Sequence, residues 1–139
     1  IRIGTSIPAH ISVIGQCILA FLAPSELDAY LVASRGRAHE FRDKRAANEV
    51  LPTLKTIRKR GYTVGDSTLT DGLRILAVPV LGRDGDPIGA ISIAAPATRG
   101  TAATLEHDAL GLAKAAAHEI ATAIEAGGSI GFAMRAPSP

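Results

Sequence analysis

Two apolar runs, Leu73 to Val80 and Ile88 to Pro96, flank the dipeptide Asp84-Gly85, and no other feature restricts the chain as much. Asp-Gly between alternating apolar stretches marks a hairpin, because glycine supplies the positive φ of a tight reversal. In the first run Ile75 and Ala77 on one side and Leu76, Val78 and Val80 on the other are all apolar, as in a strand covered on both faces. In the second the two faces differ. Ile91 and Ile93 point one way and the small residues Ala90, Ser92 and Ala94 the other, since strand side chains alternate. Pro79 cannot donate to a ladder, so it is expected at a bulge or beside an edge.

The remaining pattern supplies helices for this sheet. Ile1 to Thr5 reads as the end of a strand. From Ser12 to Leu22 apolar residues surround a helix interrupted only by Ser12 and Gln16, so it should be buried on most sides. A short helix follows at Pro24 and Ser25, with Asp28 completing a capping-box candidate. Positions 34–45 read as a charged loop. Val50, Leu54 and Ile57 give an amphipathic helix from Ala46 to Arg60 that ends in basic residues and stops at Gly61. Tyr62 to Val64 reads as a strand and 65–71 as a polar connection. Leu105, Ala109, Leu112, Ala116, Ile120 and Ile124 mark one apolar stripe on a long alanine-rich helix ending near Gly127. The order implies an α+β fold, an antiparallel sheet of about four strands with helices packed on it. Residues 1–127 form the domain and 128–139 a loose tail.

A chain of 139 residues, 47% hydrophobic and 20% charged, fits one domain. It has neither an apolar run of the roughly 20 residues that cross a bilayer nor a signal-peptide pattern, which implies a cytoplasmic setting. Nine of its basic residues fall between Arg35 and Arg60, a conceivable phosphate-binding surface, but no aromatics interleave to stack on bases, and a solvated loop and helix face explains them more simply. The lone Cys17 among Ile14, Ile18 and Leu19 reads as a buried thiol. His10, His39, His107 and His118 lack metal-ligand spacing. Gly82, Gly85 and Gly89 surround a hairpin rather than a helix start, so no dinucleotide or phosphate loop is present. Ser92 has no G-x-S-x-G surround. The residues thus call for no catalysis, cofactor or metal. The small-residue face of the last strand, opposite a buried helix, leaves two readings open: a ligand cavity, or a helix packed close on the alanines.

The segments "IPAHISVIGQCILAFLAPSELDAYL", "LKTIRKRGYTVGD" and "GLRILAVPVLGRDGDPIGAISIAAPATRGT" resemble, in order and spacing, the effector-binding domain of IclR-type bacterial transcriptional regulators, from about Gly4 to about Gly127. The "GLR-x-x-AVPV" form is closer to the branch that regulates aromatic-acid catabolism. The resemblance implies a GAF-like fold, an antiparallel sheet with helices on both sides, whose N-terminal part precedes Ile1. It also implies a small-molecule pocket on one sheet face, a homodimer or homotetramer, and promoter binding through an N-terminal winged helix-turn-helix outside this chain. By position the pocket falls on Ser12, Val13, Ile14 and Gly15, on Asp66 or its neighbour Gly65, on Ile75, and on Ser92 and Ala94.

The chain departs from many members where Val13 and Ile14 replace small residues, Ile75 a Cys or Ser, and Ala94 a second Ser, so the pocket should be smaller or more apolar. Ser92 and backbone N–H groups near Ser12 are candidate donors to a carboxylate. The expected function is ligand sensing for a regulator that binds a small organic acid, aromatic acids among the candidates. The alanine-rich last helix and the helix from Ala46 are candidate subunit contacts. One rival is a ligand-free interaction module with Val13, Ile14 and Ile75 filling the cavity. A second is a small hydrolase or isomerase using Ser92 with Asp66 or His10, which requires convergence within about 3 Å.

Overall fold

The computed structural model describes residues 2–35 and 46–127. Three strands form an antiparallel sheet in the order β1 (Thr63–Asp66), β2 (Leu73–Leu81), β3 (Pro87–Pro96). Helix α1 (Val13–Leu19) lies on one face and α4 (Ala102–Gly127) on the other, while α2 (Pro24–Ala33) and α3 (Leu51–Arg60) pack beside α1. This is the expected α+β arrangement with helices on both sides of the sheet.

The β2–β3 hairpin follows from its turn chemistry. Gly85 adopts φ 79°, the Gly82 N–H donates to the Asp86 carbonyl at 2.9 Å, and the register shifts between Val80 and Leu81. β1 pairs only as far as Ala77, so Pro79 sits next to that shift, on a stretch of β2 that β1 does not flank. The missing N–H therefore breaks no β1 bond. Leu76, Val78 and Val80 with Ile91 and Ile93 face α4 and form the larger core.

Several elements differ from the sequence reading. Residues 2–5 form a turn, closed by Thr5 N–H to the Arg2 carbonyl at 3.0 Å with Gly4 at φ 90°, and not a strand end, so the described sheet has three strands rather than about four. The first helix is shorter than Ser12 to Leu22. A 3-10 turn at Ala9–Ile11 precedes it, and after Leu19 the chain tightens into i→i+3 bonds from Phe21 and Leu22. Ser25 and Asp28 do not cap α2, whose N-cap is Ala23 and which starts instead on the preset φ of Pro24. The expected helix from Ala46 begins as a 3-10 turn, Ala47–Val50, before Pro52 enters the first turn of α3. Gly61 ends α3 at φ 87°, as expected. Most of the charged loop and the whole tail lie outside the described residues.

The largest difference concerns α4. The stripe expected inward includes Leu112 and Ile120, yet these are 73% and 42% exposed, and the buried positions are Ala113, Ala117 and Ala121. Leu105 and Ala109 of that stripe do pack on this core, as does Leu110, but further along the sheet side already carries large residues, so the helix meets it with methyl groups and turns Leu112 and Ile120 away. Alanines on all sides leave the periodicity without a unique face.

Candidate functional site

The pairing register assembles the opposite face of the sheet into rows. Gly65, Ile75 and Ala94 align across the three strands, and Thr63, Ala77 and Ser92 form the neighbouring row. Ala77 is fully buried and Thr63 nearly so, whereas Ser92 and Ala94 are exposed and Ile75 is half-buried. On β3 the large residues are thus used against α4, and the small ones form an open floor on the α1 side.

Helix α1 reaches this floor at its start. Val13 packs over β1, its Cγ2 lying 3.6 Å from where a side chain on Gly65 would begin. Val13 and Ile14 are half-buried. The Ser12 hydroxyl caps the helix by accepting the Gly15 N–H at 2.9 Å, which leaves its own proton to donate. Gly15 has a different reason to be glycine: a Cβ there would lie 2.2 Å from the Ala9 carbonyl oxygen, so its open position faces the 3-10 turn rather than the strands. That turn is fixed by Gln16 Nε2 donating to the His10 carbonyl at 2.7 Å and by the Thr68 hydroxyl donating to the Ile11 carbonyl at 2.6 Å. At its far end, α1 has its Ala20 carbonyl bonded by Arg58 at 3.2 Å.

Asp66 alternates to the other face of the sheet. There it accepts from Arg74 Nε at 2.8 Å, and Arg74 also donates to the Gly100 carbonyl ahead of α4. Gly65, its neighbour, occupies the floor. Ser92, Asp66 and His10 do not converge: Asp66 and Ser92 lie on opposite faces, and His10 Nδ1 is 2.7 Å from the Tyr30 hydroxyl. Cys17 is fully buried, and burial pushes its thiol up to about 12, far from a nucleophile's range. Among the described residues no group of His, Cys, Asp and Glu is placed to hold a metal ion.

Two features had no clear sequence signal. Arg58 and Arg60, from the basic window, are engaged within the fold: Arg58 caps α1, and Arg60 pairs with Glu106 at 3.1 Å and lies 4.3 Å over the Tyr62 ring. A cleft of about 210 Å3 opens where Arg74, Arg99, Thr101 and Asp108 meet the start of α4, on the side away from the floor. Among the described residues no helix is long and apolar enough to cross a membrane.

Residues 1–122 match the family described as bacterial transcriptional regulator IclR C-terminal. The regulator KdgR of Dickeya chrysanthemi is 33% identical over 98 residues, covering 70% of this chain and 32% of its own length. A putative transcriptional regulator from Rhodococcus superposes with a TM-score of 0.73 at 32% identity, over 88% of this chain and 50% of that one. The inducer-binding domain of PobR from Acinetobacter, a complex with 3-hydroxybenzoic acid, superposes with a TM-score of 0.69 at 22% identity, over 86% and 69% of the two chains, a likeness of fold. The chain thus spans about a third of KdgR and half of the Rhodococcus protein.

Proposed function

Because the chain belongs to the C-terminal family of IclR-type bacterial transcriptional regulators, we propose that it is the effector-sensing part of such a regulator and binds a small organic acid on the sheet face beneath the start of α1. The observation that carries this reading is the division of β3: Ile91 and Ile93 pack against α4, while Ser92 and Ala94 stay exposed beside half-buried Ile75, Val13 and Ile14. The inducer-binding domain of PobR, a complex with 3-hydroxybenzoic acid, has the same fold, which supports an acid as the ligand.

In this reading the domain is non-catalytic and the protein cytoplasmic. It works as a homodimer or homotetramer, and the acid alters promoter binding by a winged helix-turn-helix outside this chain. The effector moves that equilibrium only by its differential affinity for two states. The test is thermal unfolding of the full-length protein against 2-oxo acids and benzoates. A true effector at a hundred times its dissociation constant adds about 2.7 kcal/mol of stability. The reading predicts such a shift for at least one acid, lost in Ser92→Ala and kept in Lys59→Ala. A shift that survives Ser92→Ala unchanged would place the ligand elsewhere.

A further inference from the structure

Resting on that reading, we propose that the corner between α3 and β1, residues 58–62, is a releasable link that couples α1, on one side of the sheet, to α4 on the other. The fold has two separate cores. One packs Leu54 and Ile57 of α3 with Leu19 and Ala20 at the end of α1, and the other takes in Tyr62 with the sheet and the buried alanines of α4. The chain passes from the first core to the second between Ile57 and Tyr62.

Side chains two apart on a helix do not share a face, so Arg58 and Arg60 leave the last turn of α3 in different directions. Arg58 Nη1 donates to the Ala20 and Leu22 carbonyls at 3.2 and 3.4 Å. Arg60 Nη2 donates to Glu106 Oε1 of α4 at 3.1 Å, and the Tyr62 hydroxyl donates to Oε2 of the same carboxylate at 2.9 Å. The Arg60 guanidinium also lies 4.3 Å over the Tyr62 ring, so the two donors that hold Glu106 are stacked on each other. Gly61 between them turns the chain at φ 87°, and its N–H closes α3 on the Ile57 carbonyl at 2.8 Å. A shift at the end of α1 therefore pulls through Arg58 on a closed helical turn and carries Arg60 with it.

Exposure makes the link releasable. The Arg60 and Glu106 side chains are 39% and 29% exposed, so the clasp can open into water while both cores stay closed. A contact of this modest strength is one that a small difference in effector affinity between two states can shift. Coupling through the sheet instead would require close-packed Leu76 and Val78 to move.

The experiment is amide hydrogen exchange of the full-length protein without added ligand, on Tyr62→Phe, which keeps the ring, and Glu106→Gln, which keeps the shape. Arg83→Met is the control, because it breaks the 3.3 Å pair with Glu125 near the other end of α4. Tyr62→Phe and Glu106→Gln should each speed exchange at Phe21 and Leu22 by about twofold or more and leave Gly82 in the hairpin unchanged. Among the described residues Arg58 makes no hydrogen bond or ion pair to Glu106, so independent sites would give multiplicative effects. The link predicts instead that Arg58→Met combined with Glu106→Gln departs from the product of the single effects on the unfolding equilibrium constant by about twofold or more. Unchanged exchange at Phe21 and Leu22, or single effects that simply multiply, would overturn the link. So would an equal acceleration at every amide, or the same response to Arg83→Met, since either marks general loosening. None of these outcomes bears on whether an acid binds beneath α1, which thermal unfolding with the acids decides separately.

Discussion

Gly15→Ala is the substitution for which helix propensity and packing predict opposite outcomes. Alanine is preferred over glycine inside a helix by about 1 kcal/mol, so propensity alone predicts stabilisation. The structure predicts the reverse, since the new Cβ would lie 2.2, 2.5 and 2.7 Å from the oxygen, Cα and carbonyl carbon of Ala9, all backbone atoms. The 3-10 turn would have to retreat by roughly 1 Å to restore ordinary contact. It is held against retreat by the bonds from Gln16 to the His10 carbonyl and from Thr68 to the Ile11 carbonyl. Overpacking of this kind costs about 1–3 kcal/mol and a strained buried hydrogen bond about 1 more, so after the propensity gain the net loss is about 1–3 kcal/mol. For a domain of this size that lowers Tm by about 3–10 °C. Gly111→Ala is the control, because nothing lies within 4 Å of a Cβ there, mid-helix in α4, and it should stabilise by about 1 kcal/mol. Thermal unfolding of both variants decides the matter. A Gly15→Ala protein as stable as its parent would refute the close approach of the 3-10 turn to α1.

Further substitutions test other parts of the fold. Leu112→Ser should change the unfolding free energy by less than about 0.5 kcal/mol and Ala113→Leu should cost about 1–3 kcal/mol in urea titrations, the opposite of what the sequence periodicity of α4 implies. Arg58→Met keeps the apolar stem but removes the bonds to the Ala20 and Leu22 carbonyls, and should cost about 1 kcal/mol in the same assay; no loss would mean that α1 does not need this cap. Cys17 should resist a disulfide reagent at pH 8 until the protein is denatured, and rapid labelling of the native protein would contradict its burial. Its folded-state pKa lies above the unfolded value, so its contribution is fully present below about pH 9 and is lost as pH rises toward about 12, by up to about 1.4 kcal/mol per pH unit; Cys17→Ala should flatten stability against pH from 8 to 10.

How much was legible in the sequence follows from where a residue's neighbours lie. The hairpin was plain because Asp84-Gly85 and the period-2 runs are local signals, and the split between Ile91/Ile93 and Ser92/Ala94 could be read from β3 alone. The end of α3 was equally local, written in its basic last turn and Gly61. The inward face of α4 was not, because alanine fits either side and the choice depended on how much volume β2 and β3 had already filled. Asp66 shows the same limit at the site: one position of strand phase separates the floor from the opposite face, and only the pairing of Gly65 with Ile75 fixes that phase. Nor could the reason for Gly15 be read ahead of the structure, since the partner that demands it is the Ala9 backbone, folded back by a 3-10 turn.

The central claim, that the effector lies on the α1 side of the sheet, is tested most directly by methyl NMR of the full-length protein, labelled at alanine, isoleucine and valine, during titration with whichever acid stabilises it in thermal unfolding. The account predicts that the methyl signals of Val13, Ile75 and Ala94 shift together and saturate with the ligand, while those of Ala113, Ala117 and Ala121, buried against the other face, stay in place. Shifts confined to the α4 side, or centred on Ala95 beside the cleft of Arg74 and Arg99, with Ala94 and Ile75 unmoved, would contradict it.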